Sequence, residues 1–286
     1  CNYSFICHFI YSLQNLRVSI SNDGVPIVGN DKGATVLGSM DVTIPYFSLE
    51  SYGLEQFNRY HTEDGQGAYV DEVLVKRPTL LHLYIYMLER YYLGLSEDKC
   101  GKGNAVSHVL EYAGTGDGVY DLLGGKYEDT MKALNITGSA TSLYMQQFWG
   151  HDENLMYYRN HVYPLMGPGW GSTADYILLS DGDVIDLAMF SDWNFWTKGA
   201  FACFDKDGYT IKQNGTLNFQ TLKYDTQSVG QGGSEKTEPI QGLTAALYTS
   251  TWAQAPGVNQ PVADSADSSK FACSLSGLPA GTYYLL

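Results

Sequence analysis

The side chains best suited to acid–base or metal chemistry gather in one short segment of the chain. His151, Asp152, Glu153 and His161 lie within eleven positions, and imidazole and carboxylate groups bind zinc or transfer protons in many sites. Their spacing does not put two ligands on one helical face, and the segment contains no third histidine. Two interpretations stay open, a metal or acid–base site and a polar turn network, with more weight on the turn network.

A second group of carboxylates has the right chemistry for calcium. Asp181, Asp183 and Asp186 offer the oxygen ligands that hard cations prefer, but the Asp-Gly step at 181–182 also forms a tight turn without a metal, and we favour the turn. The 31 acidic residues single out no carboxylate pair for glycoside hydrolysis, and no nucleophile elbow occurs. The sequence therefore predicts no catalytic residue, no resident metal and no cofactor.

Aromatic residues are the strongest candidates for ligand contact. The set selected as ligand-binding is Trp149, Tyr157, Tyr158, Trp193 and Trp196. Exposed rings of this kind stack on sugars or flat cofactors, whereas buried ones lock an irregular β core, and the core interpretation has the greater weight. Trp170 is predicted to pack beneath its own loop, because Gly169 and Gly171 let the backbone close over the ring. Trp149 and Trp193, which lie beside polar residues, are expected to be more exposed.

Composition and charge exclude several classes of protein. A net charge of −14 repels nucleic-acid phosphates, so nucleic-acid binding is not expected. The apolar run from Phe5 to Leu13 is too short to span a membrane. The five cysteines form no CxxC pair, which favours free thiols over a disulfide framework. Since the chain begins at Cys1 rather than Met and ends in a strand-like run, we expect a fragment of a longer protein.

The elements that must position these residues form an α+β pattern. One helix is predicted from about Pro78 to Tyr92, where apolar residues recur at helical spacing. His82 lies on this helix and is expected to be a partly buried packing residue. Strands are predicted on both sides of the helix, among them 40–47 and 184–190, where β-branched and apolar residues alternate. One helix among several strands is typical of the α+β class.

Changes in composition along the chain predict the domain boundaries. Because 286 residues are enough for two domains, we expect an edge strand or incomplete upstream unit at 1–38, and a main domain at 39–225 with a glycine-rich insertion at 95–138. The polar, glycine- and serine-rich stretch at 226–238 is predicted to be a linker. Residues 239–286 are predicted to be a truncated β domain.

Two motifs between Phe148 and Trp196 carry a family resemblance. The first is Met156-Tyr157-Tyr158-Arg159-Asn160, followed by His161 where glycine is usual; the second is Gly171-Ser172-Thr173-Ala174-Asp175-Tyr176, followed by Leu179-Ser180-Asp181-Gly182-Asp183-Val184-Ile185. They resemble the transcobalamin-like C-terminal domain family of Gram-positive bacterial surface proteins, over roughly residues 40–200. A third, shorter run, Leu278-Pro279-Ala280-Gly281-Thr282-Tyr283-Tyr284, is similar to the closing hairpin of immunoglobulin-like modules in adhesins.

These resemblances imply a fold and a class of function. The expected fold is a β-grasp-like domain, with one main helix packed on a mixed sheet, followed by an incomplete all-β immunoglobulin-like domain. The expected function is non-enzymatic binding or structure in a secreted, extracellular or cell-wall protein. The resemblances imply one of three kinds of partner: a glycan, a cobalamin-like small molecule, or a host or surface protein. Two alternatives stay open, a cobalamin-type cofactor-binding domain and a carbohydrate-active enzyme.

Overall fold

A computed structural model describes residues 13–26, 38–52, 77–92, 94–103, 136–139, 142–145, 154–161, 164–167, 170–171, 174, 177–190, 201–224 and 237–286. These residues are mostly β-strand with one short α-helix, in mixed and antiparallel sheets. This content is consistent with the α+β class predicted from the sequence. Within these segments, no helix has the length and hydrophobicity needed to cross a membrane.

The strands are numbered here in chain order. They are β1 Leu13–Asn22, β2 Val25–Pro26, β3 Ser39–Pro45, β4 Ile136–Ser139, β5 Ser142–Met145, β6 Asn154–Arg159, β7 Leu165–Gly167, β8 Trp170–Gly171, β9 Val184–Phe190, β10 Phe201–Phe204, β11 Thr216–Tyr224, β12 Thr237–Pro239, β13 Leu247–Thr249, β14 Val262–Ala263, β15 Lys270–Ser274 and β16 Tyr283–Leu285. Two compact units contain them. The first draws on Cys1–Leu16, Asp41–Gly150 and Thr173–Asp183, and the second on Arg17–Met40, His151–Ser172 and Val184–Leu286.

The α-helix of the described chain, α1 Leu80–Met87, is buried along its whole length. It follows Thr79, whose backbone is extended, and continues as a π-helical turn over Leu88–Tyr92. The helix predicted from Pro78 to Tyr92 is therefore present, although its last turn is wider than an α-helix. Such π turns are uncommon and cost regular hydrogen bonding. Here the turn places the buried side chain of Glu89, which is described below.

An extended segment at 177–179 anchors the start of α1. The Leu80 amide donates to the Ile177 carbonyl at 2.9 Å, and the Leu179 amide donates to the Pro78 carbonyl at 3.0 Å. Thr79 and Leu178 face each other in an antiparallel bridge. These bonds satisfy backbone groups at the helix start that the helix itself leaves without partners.

A mixed sheet has the strand order β2-β1-β9-β6, with β3 also paired to β1. β1 and β9 run parallel, with Arg17 opposite Val184, whereas β6 runs antiparallel to β9. Parallel neighbours need a long crossover connection, and the chain between β1 and β9 contains α1. In β1, Leu16, Val18 and Ile20 are buried while alternate residues face outward.

The central strand β9 agrees with its sequence-based prediction. Ile185, Leu187 and Met189 were expected to share one face of a strand, and all three are buried. Asp186, which lies between them on the opposite face, is also buried. A strand covered on both faces must satisfy any polar side chain by hydrogen bonding. The partners of Asp186 are described with the candidate site.

Residues 201–224 and 237–286 form antiparallel sheets around one apolar core. The larger sheet has the order β10-β11-β15-β14 with β12 also paired to β11, and β13 pairs with β16 in a two-stranded ribbon. The buried members of the core are Leu217, Phe219, Leu247, Ala255, Phe271, Cys273 and Leu278. At its centre, Phe219 and Phe271 stack with ring centroids 5.1 Å apart. Cys203 and Cys273 are both buried free thiols.

The strands of this region lie on both sides of the predicted linker at 226–238. β11 precedes it and pairs with β15, which follows it, from Thr216 opposite Ser274 to Gln220 opposite Lys270. β12, Thr237–Pro239, begins within the predicted linker and pairs with the end of β11. The domain division stays a prediction, but a test of it must treat the strands before and after 226–238 as partners in one sheet.

Candidate functional site

His161 lies in a two-residue turn at the end of β6. Asn160 and His161 both have left-handed backbone angles, with φ of 54° and 62°. Turns of this kind usually carry glycine at the second position because a side chain is strained there. The turn is tied to β9, since the Asn160 amide donates to the Val184 carbonyl at 2.7 Å and the Asn160 side chain accepts from the Val184 amide at 2.9 Å.

The His161 ring bridges two carboxylates. Nδ1 lies 2.8 Å from Oδ2 of Asp186, and Nε2 lies 2.5 Å from Oδ1 of Asp207. Ser19 donates from its hydroxyl to the other oxygen of Asp186 at 2.6 Å. Burial alone disfavours the charged ring, but the hydrogen bonds and charges of Asp186 and then Asp207 raise the pKa of His161 to about 9. The ring is therefore an imidazolium at neutral pH, donating from both nitrogens.

This charged cluster joins four segments of the chain through Ser19, His161, Asp186 and Asp207. An imidazolium with both N–H groups engaged has no lone pair to act as a base. The neighbouring Cys203 is buried, and burial, followed by the charges of Asp186 and Asp207, raises the pKa of its thiol to about 11. Cys203 is consequently a neutral thiol and a weak nucleophile. His151, Asp152 and Glu153, which were weighed together with His161 as a metal or acid–base site or a polar turn network, lie outside the described residues.

The three carboxylates weighed as possible calcium ligands face different partners. Asp181 accepts from the amide and the side chain of Asn15, both at 2.9 Å, and Asp183 accepts from the Ser180 amide at 2.8 Å. Asp186 faces Ser19 and His161 instead. Across the described segments, no group of three His, Cys, Asp or Glu side chains is placed to hold a metal ion. Each carboxylate here supports the turn or the sheet.

The structure places two of the five predicted ligand-binding aromatics. Tyr157 and Tyr158 are adjacent on β6, and both are buried. Tyr158 stacks on Phe201 with ring centroids 3.9 Å apart. Neighbouring residues on a strand point to opposite faces, so both faces of β6 are covered at this point, and these rings pack inside the protein rather than at a surface.

The remaining aromatics of that stretch lie beyond what the structure shows of side chains. Trp149, Trp193 and Trp196 are outside the described residues, and Trp170 is described only as part of the strand β8. Their predicted exposure therefore stays a prediction.

His82 forms a buried cap at the start of α1. Its Nδ1 accepts from the Thr79 amide at 3.1 Å, and its Nε2 lies 3.1 Å from the Phe47 carbonyl oxygen. A carbonyl only accepts, so Nε2 carries the proton and the ring is neutral. Burial lowers the pKa of His82 to about 3. The sequence predicted a partly buried packing residue, whereas the ring is fully buried because it closes a capping box with Thr79.

Glu89 is a second fully buried ionisable residue in the first unit. Oε1 accepts from the Tyr52 hydroxyl at 2.7 Å, and Oε2 accepts from the Gly101 amide at 2.7 Å. Gly101 has φ of 75°, and a Cβ there would lie 2.7 Å from the Phe47 ring, which explains the glycine. Glu89 thus joins the π-helical turn to two other segments. The spacing of sequence motifs gave no signal for this role.

A further aromatic cluster, which was not predicted from the sequence, lies on the β13–β16 ribbon. Tyr248 and Tyr284 are directly opposite each other across the ribbon. Trp252 stacks on Tyr284 with centroids 4.7 Å apart and planes 7° from parallel, and its ring is tilted against Tyr248 at 5.8 Å. Trp252 is buried, whereas both tyrosines are half-buried. We refer to these three residues as the ribbon aromatics.

Trp252 holds an unfavourable conformation. Its φ of 59° is left-handed, which costs on the order of 1–3 kcal/mol for a bulky residue. The conformation closes a turn in which the Trp252 amide donates to the Thr249 carbonyl at 2.9 Å. The buried indole N–H of Trp252 has no hydrogen-bond partner among the described residues. An unsatisfied donor of this kind is rare in folded proteins and calls for an explanation.

The chain around the ribbon aromatics carries no charge. Residues 240–263 and 271–286 contain no Asp, Glu, Lys, Arg or His, although the whole chain has a net charge of −14. This absence of charge is visible in the sequence and is the signal that would have drawn attention to Trp252. Comparison with known proteins adds no assignment to either site, because no protein-family model, curated protein or solved structure matches this chain.

Proposed function

We propose that this chain is a non-enzymatic binding or structural module of a bacterial cell-surface protein, acting outside the cell. The observation that carries the proposal is the position of the motif strand. The run from Leu179 to Ile185 contains the Asp-Gly turn and leads into β9, which is central in the mixed sheet, parallel to β1 and antiparallel to β6. A mixed sheet is what the transcobalamin-like resemblance implies.

This sheet order supports a β-grasp assignment for the domain that contains the motifs. The position of α1 between β1 and β9 in the chain is consistent with it, since the resemblance implies strands, then a crossing helix, then more strands. The antiparallel strand pairing within residues 239–286 supports the immunoglobulin-like assignment of that segment in the same way. Both assignments are part of the proposal.

The use of the buried ionisable groups favours binding or structure over catalysis. His82 caps a helix, Glu89 joins three segments, and His161 bridges two carboxylates. In each case the groups capable of acid–base chemistry form hydrogen bonds with other parts of the protein. The acidic surface adds a constraint on partners, because a net charge of −14 disfavours nucleic acids and other polyanions.

The experiment that tests this function separates binding from turnover. The purified chain is screened against an oligosaccharide array and against cobalamin, with tryptophan fluorescence as the second readout, and the same glycans are analysed for cleavage after long incubation. Saturable binding without cleavage supports the proposal. Cleavage that depends on protein concentration would establish a carbohydrate-active enzyme and overturn it. Tight cobalamin binding would establish the cofactor-binding alternative. Trp149→Ala and Trp193→Ala variants test whether the predicted aromatic set makes the contact.

A further inference from the structure

We propose that the ribbon aromatics Tyr248, Trp252 and Tyr284 form a binding site for a neutral glycan. This inference rests on the proposed function, because it names a ligand class for a binding module. It places that ligand away from the aromatic stretch 149–196 that the sequence indicated. Three independent observations support it: the arrangement of the rings, the conformation of Trp252 and the absence of charge around them.

The rings share one face of the β13–β16 ribbon. Residues directly opposite each other in a strand pair project to the same side, so Tyr248 and Tyr284 lie together. The next pair, Leu247 and Leu285, packs with the apolar core on the other side. The ribbon aromatics are therefore not needed to fill that core. Half-buried tyrosine rings backed by a stacked tryptophan offer the rigid apolar surface on which the C–H face of a pyranose ring packs.

The conformation of Trp252 provides the second observation. Left-handed backbone at a bulky residue persists only where the surrounding structure enforces it, and such residues cluster at ligand clamps. The side chain is more than nine-tenths buried, and its N–H lacks an acceptor within the described chain. A sugar offers ring and hydroxyl oxygens as acceptors. We infer that a modest movement of the indole on binding gives this donor its missing partner.

The chemistry around the rings determines which glycans fit. With no Asp, Glu, Lys, Arg or His in 240–263 or 271–286, the neighbourhood offers hydroxyl and amide groups, such as those of Thr249, Thr251 and Gln254. These groups bond to sugar hydroxyls but cannot neutralise a carboxylate or a sulfate. The acidic remainder of the chain repels anionic glycans as well. A neutral oligosaccharide is therefore preferred over a sialylated or sulfated one.

The test uses the full chain and a defined set of probes. Arrays of neutral oligosaccharides built from glucose, galactose, mannose and N-acetylglucosamine are compared with sialylated and sulfated counterparts, and dissociation constants for the best neutral probe are measured by calorimetry. Tyr284→Ala removes a ring and should weaken binding by about tenfold or more. Trp252→Phe keeps a ring but removes the N–H, and should weaken binding by about threefold to tenfold. Val258→Ser, at a residue that is 83% exposed, is the control and should bind as the wild type does.

The outcomes distinguish this inference from the proposed function. Thermal unfolding shows whether each variant folds. If Tyr284→Ala does not fold, the dissociation constants of Trp252→Phe and Tyr248→Phe test the site in its place. Glycan binding that survives all ribbon substitutions but is lost in Trp149→Ala or Trp193→Ala would overturn this site and leave the proposed function standing. Preference for anionic glycans, binding of a protein but no glycan, or binding of no neutral glycan would each overturn the inference. Glycan cleavage would overturn the proposed function itself.

Discussion

Around His161, strands and turns are joined by charged hydrogen bonds, whereas the β13–β16 ribbon is held by stacked rings in a stretch without charge. In the first region an imidazolium bridges Asp186 and Asp207, and Ser19 completes the coordination of the buried carboxylate. In the second, Trp252 and Tyr284 stack and Leu247 packs into the apolar core. The first arrangement depends on protonation, while the second does not.

The two described histidines extend this comparison because burial and charge act on them in opposite directions. His82 has a carbonyl partner and no carboxylate hydrogen bond within the part of the chain that the structure describes, so burial dominates and lowers its pKa to about 3. His161 has two carboxylate partners, which outweigh its burial and raise its pKa to about 9. Among the described residues, His82 therefore makes the fold sensitive to acid, and His161 makes it sensitive to alkali. Changes of pH should therefore alter the stability contributed by these histidines but not the stability contributed by the apolar core that contains Phe219 and Phe271.

The largest loss of stability should come from removing an aromatic ring of the apolar core that contains Phe219 and Phe271. Phe219→Ala deletes the partner of Phe271 and leaves a cavity, and it should lower the free energy of unfolding by about 3–5 kcal/mol. Because no charged group takes part in this ring pair, the loss should be the same at pH 5, 7 and 9. Denaturant unfolding at the three pH values measures it. Val262→Ala, at a residue 69% exposed, is the control and should change stability by less than about 0.5 kcal/mol.

Acidic pH should destabilise the fold through His82. The unfolded chain binds a proton at this residue below its ordinary pKa near 6.5, whereas the folded chain does not until about pH 3, so stability should fall as pH drops through that window. At about 1.4 kcal/mol per pH unit, this amounts to roughly 3 kcal/mol between pH 6.5 and 4. His82→Gln keeps the capping acceptor and cannot titrate. Its acid slope should be correspondingly smaller, and an unchanged slope would contradict the neutral buried ring.

Alkaline pH should destabilise the fold through His161. The loss of stability should be smaller than that caused by acid at His82, because the His161 ring is partly solvated. The folded pKa is raised above the unfolded one, so the stabilisation is complete below pH 6.5 and is lost as pH rises to about 9. Allowing for solvent screening, we expect a loss of roughly 2 kcal/mol over this window. His161→Gln should be less stable than the wild type at pH 6 and nearly equal to it at pH 9.5. A difference that stays constant with pH would show that His161 acts by packing alone.

Local patterns predicted the elements of the fold better than their pairing. Period-two alternation located β3 and β9, and helical spacing located α1 together with its π-helical extension. Pairing across the segment at 226–238 was not visible, because a polar, glycine-rich stretch has the same composition whether it separates domains or connects paired strands. Long-range pairing depends on contacts that no single segment encodes.

The site was harder to predict than the fold, for two reasons. Tyr157 and Tyr158 were selected because aromatics suit ligands, but composition does not reveal that both faces of β6 are covered. Trp252 was passed over because it stands alone in the sequence, and its partner Tyr284 joins it only through the pairing of β13 with β16. The interpretation of His161 as part of a polar turn agrees with the structure, but its hydrogen-bond partners were not predicted. Those partners, Asp186 and Asp207, are 25 and 46 residues away.

The smallest change in the free energy of unfolding is expected from added calcium. This measurement tests whether Asp181, Asp183 and Asp186 are held by hydrogen bonds alone. Asp181, Asp183 and Asp186 face Asn15, Ser180 and His161, so binding an ion would require these bonds to break. Calcium at 1 mM should therefore shift the free energy of unfolding by less than about 0.5 kcal/mol relative to EDTA, the shift expected if the dissociation constant is 1 mM or weaker. Magnesium at the same concentration controls for ionic strength. A calcium-specific gain of about 2.7 kcal/mol would mean a dissociation constant near 10 µM, and it would replace the hydrogen-bonded turn with a metal site.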